Sequence, residues 1–290
     1  MSIQSIYAKS ARFDTAHPLS DEELIKYAPS IFATNAHESR STKFQVIPTI
    51  TVLNALRREG FFPVAARQSN SRNISKMNYT KHSIRLRRFD NAEKYNVGDC
   101  ICELLLQNAN DGTSKYELDA AMERIACMNS LVVKTATIDT VKIRHMGTED
   151  ILNQVIEGSY RVMSESIKCL DAPKEWSQLP MNSEEKQLLA KAAHLVRFNG
   201  EDEETTPIKS TQLLIPKRLE DQGNDLWTTW NIAQEHCLKG GDQGYRYTNL
   251  ATRTGQRRIT TRPIRNINQD TSLNKALWMI GEAFAAKLAA

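Results

Sequence analysis

Two stretches of this chain concentrate arginine without a single carboxylate. The first, RQSNSRNISKMNYTKHSIRLRR, runs from Arg67 to Arg88 and holds five arginines and two lysines. The second, between Gln243 and Gln269, holds six arginines among threonines, tyrosines and glycines. The chain as a whole has a formal net charge of only +4, so both runs are local concentrations of charge. Like charges repel, and gathering them costs energy unless something negative sits opposite. Arginines hold phosphates by charge, and aromatic rings stack on unpaired bases, so these residue types together point to single-stranded nucleic acid.

Successive side chains alternate between the two faces of a strand. In YTKHSIRLRRF, Tyr79, Lys81, Ser83, Arg85, Arg87 and Phe89 fall on one face, and Ile84 and Leu86 fall on the other, toward a core. The first run is therefore expected to bind nucleic acid through Arg57, Arg58, Arg67, Arg72, Lys76, Tyr79, Lys81, Arg85, Arg87 and Phe89. Arg57 and Arg58 also suit the C-terminal end of a helix dipole. The second run is expected to act as a mobile loop between helices, with Arg253, Arg257, Arg258, Arg262 and Arg265 as its binding residues. The competing reading is a solvated charged strand that discourages edge-to-edge aggregation.

Other chemistry is poorly represented. There is no phosphate-cradling G-x-x-x-x-G-K-[ST], no G-x-G-x-x-G, no H-E-x-x-H and no G-x-S-x-G. The His37-Glu38 pair reads as a solvated loop, and Cys100 and Cys102 share a strand face with Leu104 and Leu106 and read as core lining. Asp111 and Glu117, flanking a turn, would be the metal ligands of an enzyme with a dispersed site, but an Asp before Gly112 reads first as a turn residue. The expectation is a protein that is not an enzyme and uses no metal or cofactor. Five scattered cysteines, the absence of an apolar leader in the first residues and the absence of a membrane-length apolar stretch argue for a cytoplasmic protein with free thiols.

The elements that must position these residues follow from pattern. Ser20 with Glu23 forms a capping box for a short helix that Pro29 ends. A helix capped by Thr49 is stopped by Gly60. FFPVAARQ reads as an edge strand because of Pro63, followed by the basic strand, CICELLLQ and SKYEL. A helix is expected over DAAMERIACM, with one or two strands in LVVKTATIDTVKIRH. From Thr148 the pattern is helical, with caps at Asn182 or Ser183, at Asp225 and at Asp270 or Thr271. The helical spacing of Trp227, Trp230 and Trp278 favours core packing over base stacking. The fold class is α+β: a mixed, mostly antiparallel sheet with packed helices in the first half and a helical second half. The expected division is 1–147 and 148–290, or one continuous domain.

SDEELIKYAPSIFATNAHESRSTKFQVIPTITVLNALRREGFFPVAARQS, YTKHSIRLRR, NANDGTSKY, QVIEGSYRVM, NDLWTTWNIAQEHCLKGG and NKALWMIGEAF together resemble the YafZ/YfjQ-like proteins of enterobacterial prophages and conjugative plasmids. The resemblance covers essentially the whole chain and implies a mobile-element protein; it supplies no catalytic residues. The order of a helix ending in Arg-Arg-Glu-Gly, a Phe-Phe strand, a basic strand, a third strand and a later helix also resembles the single-strand annealing proteins Redβ, RecT, Erf and the Rad-type proteins. That second resemblance implies ATP-independent annealing of single-stranded DNA by a homo-oligomeric ring or filament. The alternative partner is a host protein, bound to antagonise a host defence system.

Overall fold

The computed structural model describes residues 17–41, 44, 46–89, 100–124, 129–132, 141–143, 151–168, 170–249, 252 and 254–290. The chain is α+β and forms two compact units, residues 1–170 and 171–290. The division falls after Leu170 rather than at the expected 147/148 because helix α3 (Ile151–Lys168) packs on the sheet of the first unit.

In the first unit, α1 (Asp21–Tyr27) opens with the Ser20–Glu23 capping box. Helix α2 (Thr49–Arg58) buries Val52, Leu53, Ala55 and Leu56 against β1 (Phe61–Gln68). Its N-cap is Pro48 rather than Thr49, whose hydroxyl turns inward to the buried ring of His82 at 2.9 Å. Gly60, at φ 84°, reverses the chain into the sheet. The sheet is antiparallel throughout its described strands, in the order β1, β2 (His82–Arg88), β3 (Cys100–Asn108), β4 (Tyr116–Arg124), β5 (Asn129–Val132), with β6 (Val141–Ile143) pairing the start of β4. Pro63 lies on the edge strand, where its missing N–H costs no ladder bond, and the register shifts beside it.

The helix expected from Asp119 onward is not there over the described part of that segment: residues 119–124 continue β4. Ala, Met and Glu favour helix intrinsically, but register with β3 from Gln107 opposite Glu117 to Cys100 opposite Arg124 overrides that preference. Ile84, Leu86, Leu104, Leu106, Leu118 and Met122 alternate onto one face as a dry layer.

The second unit is helical, with α4 (Asp171–Ser177), α5 (Ser183–Arg197), α6 (Leu226–Lys239) and α7 (Ile267–Leu288). Asn182 and Asp225 cap α5 and α6 as expected, whereas α7 starts earlier than expected, at an Asn266 cap. Trp176, Trp227, Trp230 and Trp278 are all buried in one cluster. Trp227 and Trp230 stack at 5.8 Å, Trp176 lies 4.8 Å from Trp278, and the Trp230 indole N–H donates to the Leu277 carbonyl at 2.7 Å. These rings are core, as their spacing indicated. Between α6 and α7 the chain forms a two-stranded antiparallel ribbon, β7 (Gln243–Asn249) and β8 (Thr254–Thr260), where the sequence suggested a mobile loop. No helix among the described residues is long and apolar enough to cross a membrane.

Candidate nucleic-acid interface

The second face of the first unit's sheet is where the sequence placed a phosphate-binding strip. Arg85 and Arg87 do point to that face, but they are only 7% and 6% exposed. The acid that the run itself lacks comes from the next strands. The Arg85 Nε donates to Glu103 on β3 at 2.5 Å, and its guanidinium also donates to the Met122 carbonyl at 3.0 Å. Arg87 donates to the other oxygen of Glu103 at 2.6 Å and reaches Glu123 on β4 at 3.5 Å. Lys81, also buried, lies 3.8 Å from Glu117. Both lone-pair edges of the fully buried Glu103 are thus taken by guanidinium groups, a geometry that compensates desolvation far better than one guanidinium alone.

Burial alone would raise the Glu103 carboxyl, but Arg85 and Arg87 outweigh it and hold that group below the usual carboxylate range. Burial, followed by the adjacent Glu103 charge, pushes Glu123 up to about 7. Arg85, Arg87 and Lys81 are thus buried and each meets a carboxyl group within the sheet, which corrects their assignment to an exposed phosphate strip. The sequence signal for Glu103 was its place in the alternation of β3. Glu123 was hidden by the helical reading of its segment.

The remaining first-run residues divide further. Arg57 pairs with Asp21 at 2.7 Å, and Arg58 is exposed at the end of α2. Arg67 is half-buried and donates to Ser83 at 3.3 Å. Phe89 packs edge-on against Phe62, with ring centres 5.9 Å apart, rather than standing free. Arg72 is exposed, and Lys76 and Tyr79 are half-exposed on the 3-10 turn Ile74–Tyr79 and the loop before it. Asp111 accepts from the Thr113 amide and hydroxyl, as a turn residue does. Among the described residues no group of three His, Cys, Asp or Glu is arranged to hold a metal ion.

The ribbon of the second unit has the opposite character. Its base is fastened: the Tyr245 amide donates to the Pro207 carbonyl at 3.0 Å, the Gly241 amide donates to the Thr261 carbonyl at 2.9 Å, and the Thr261 amide donates to the Asp242 carbonyl at 2.8 Å. Asp242 also meets His236 at 2.5 Å. Burial would raise Asp242, but the His236 hydrogen bond and nearby Lys217 hold it below the ordinary carboxylate range. Gly244 lies so close to Pro207 that a Cβ there would fall 1.6 Å from the carbonyl oxygen, so only glycine lets the ribbon dock.

Beyond this base the ribbon is exposed on both faces. Residues directly opposite in an antiparallel pair share a face. One face carries Tyr245 opposite Arg258 and Tyr247 opposite Gln256, and the other carries Arg246 opposite Arg257. Tyr245 is 56% exposed. Among the described residues, Arg246 meets Glu201 at 4.0 Å, Arg258 donates to the Gln243 side-chain oxygen, and Arg257 and Arg258 have no carboxylate partner. Like charges directly opposite destabilise a ribbon by themselves. Arg262 and Arg265 follow β8 and are exposed, and Arg253 lies outside the described residues. Sequence reasoning passed over Arg246, Tyr245 and Tyr247, although the alternation in YRYTN was a signal for them.

The architecture is that of an α+β protein with buried arginines paired to carboxyl groups on one sheet face and an exposed basic ribbon. The chain belongs to the family described as "Domain of unknown function (DUF932)", whose model matches residues 36–278. It is similar to "UPF0380 protein YafZ" of Escherichia coli (strain K12), with 39% identity over 271 residues, 93% of each chain. It is 38% identical over the same length and coverage to "UPF0380 protein YfjQ" of the same organism. No solved structure matches the chain.

Proposed function

We propose that this protein binds single-stranded DNA without ATP, through the β7–β8 ribbon, and that as a self-assembling oligomer it brings complementary strands together, with no chemistry of its own. The observation that carries the reading is the ribbon: Arg258 shares one exposed face with Tyr245 and Tyr247, Arg246 and Arg257 stand on the other, and among the described residues the acid that meets these arginines is Glu201, 4.0 Å from Arg246. Such a surface grips a flexible backbone by charge while its rings stack on bases, and base faces are available only in unpaired strands. Gripping backbones leaves base edges free to pair, which is what annealing requires. The element order of the first unit supports the same reading, since α2, β1, β2, β3 and the later α3 follow the order on which the resemblance to annealing proteins rests.

The test is fluorescence anisotropy with labelled oligothymidylate and with a matched duplex at one salt concentration, followed by an ATP-free annealing assay. Tighter binding of the single strand, weakened by R257A/R258A, is expected. Equal or tighter duplex binding contradicts the strand preference. Indifference to any DNA leaves the ribbon as a surface for an acidic host protein.

A further inference from the structure

We infer that the first unit carries a second nucleic-acid subsite, a cleft between the 3-10 turns Pro29–Phe32 and Ile74–Tyr79 that takes one unpaired nucleobase. The inference rests on the single-strand reading above and extends it to base recognition. The cleft has a volume of about 400 Å³ and is lined by Phe32 and Tyr79, with Thr34, Asn35 and Asn78 supplying polar groups. Its size falls within the range of small-ligand sites, which combine apolar walls with a few polar groups that fix orientation.

The residue types select the ligand class. Two aromatic rings offer stacking surfaces, and base–aromatic stacking recurs wherever proteins hold splayed-out bases. Asparagine amides present a donor and an acceptor side by side, the pattern that matches base edges, adenine above all. A cation or carboxylate ligand would call for a charged lining, and among the described residues none that lines this cleft is charged. Arg72 and Lys76, on the segment leading to Tyr79, supply positive charge for the attached backbone.

The ring of Tyr79 is held in advance. The buried His37 ring meets it edge-on, with centres 5.4 Å apart and an interplanar angle of 77°. His37 is fixed in turn by Ser39 at 2.9 Å and Ser75 at 3.2 Å, so the residue that reads in sequence as part of a solvated loop is a brace. The Tyr79 carbonyl accepts from the Asn110 amide at 3.0 Å, which ties the turn to the start of the β3–β4 connection. A stacking ring positioned before the ligand arrives loses less entropy on binding.

The test uses the full chain and an oligothymidylate carrying one 2-aminopurine, whose fluorescence falls when it stacks on an aromatic ring. The wild type is expected to quench it. Tyr79→Leu removes the ring, and Thr34→Leu narrows the cleft with a non-aromatic side chain from an exposed position without touching the core. Both should abolish the specific quench and weaken binding by about tenfold, in line with the loss of one stacked base, while the dependence on salt stays the same. Unchanged quench and affinity in both variants overturn the cleft.

R257A/R258A separates this from the ribbon reading. A lower salt slope with the quench kept at saturation supports both sites; a quench that Tyr79→Leu removes, with no effect of the arginine changes, rejects the ribbon and keeps the cleft. Should no oligonucleotide bind, saturation-transfer NMR with deoxyadenosine monophosphate decides: transfer abolished in Thr34→Leu supports the cleft, and no transfer overturns it.

Discussion

The two arginine-rich runs look alike in sequence and end in opposite environments. Arg85 and Arg87 lie on a strand with neighbours on both sides, and those neighbours deliver Glu103 and Glu123 to them. Arg246 and Arg257 lie on a two-stranded ribbon whose only cross-strand partners are each other. A strand inside a sheet is neutralised by residues distant in sequence, so an acid-free stretch there says little about free charge. A ribbon has no further strand to draw on, and its charge stays available to a partner. Sheet position, not local composition, decides whether an arginine faces solvent or an internal acid.

The largest expected effect breaks the neutralised side of this contrast. Glu103→Ala leaves two buried guanidinium groups without their shared carboxylate, which should cost on the order of 3–5 kcal/mol in the first unit. Urea unfolding followed by far-ultraviolet circular dichroism checks it. Tryptophan fluorescence does not, because all four tryptophans belong to the second unit. A loss below about 0.5 kcal/mol, the size of an ordinary surface change, would mean that the network is incidental.

Next comes acid sensitivity. Burial holds His82 down to about 4 from an ordinary 6.5, with its ring nitrogens bonded to the hydroxyls of Ser30 and Thr49. The unfolded chain therefore binds the extra proton first, and the His82 contribution, present in full above 6.5, is lost as pH falls toward 4. The whole swing is about 3 kcal/mol. Glu123 works in the opposite direction: its contribution is present below 4.5 and is lost as pH rises through about 7. The two slopes oppose each other in mildly acidic solution. In Glu123→Gln, stability should climb more steeply between pH 4 and 6.5 than in the wild type, and an unchanged profile would remove Glu123 from the account.

A smaller effect tests the independence of the two units. A Cβ on Gly281 would lie 2.3 Å from the Trp176 indole. Gly281→Ala should therefore cost about 1–3 kcal/mol through overpacking. The fluorescence midpoint should fall, while hydrogen exchange in β2–β4 stays unchanged. A shared loss of protection would show that the units unfold together.

Much of this architecture was legible because it is written locally. The Ser20–Glu23, Asn182 and Asp225 caps, the edge position of Pro63 and the core assignment of Ile84, Leu86, Trp227, Trp230 and Trp278 all follow from short-range pattern. What was not legible depends on cross-strand partners. Residues 119–124 have helical propensity and become strand through pairing with β3. The ion network joins residues on β2, β3 and β4, and the His82 cradle joins Ser30 and Thr49 from two other elements. In sequence the ribbon looks like a loop because glycine, threonine and like charges hide the alternation of Tyr245, Arg246 and Tyr247.

The smallest effect on stability is also the sharpest test of the contrast. R257A/R258A changes exposed residues and should alter unfolding free energy by no more than about 0.5 kcal/mol. The decisive measurement is the slope of log affinity against log salt for oligothymidylate, in the wild type and in this variant. Each phosphate that is no longer neutralised on a single strand lowers the slope by about 0.7, so the double change should lower it by roughly 1.4 when both arginines touch phosphate. An unchanged slope and affinity would mean that the ribbon's charge meets no nucleic acid, and would contradict the functional difference drawn between the two runs.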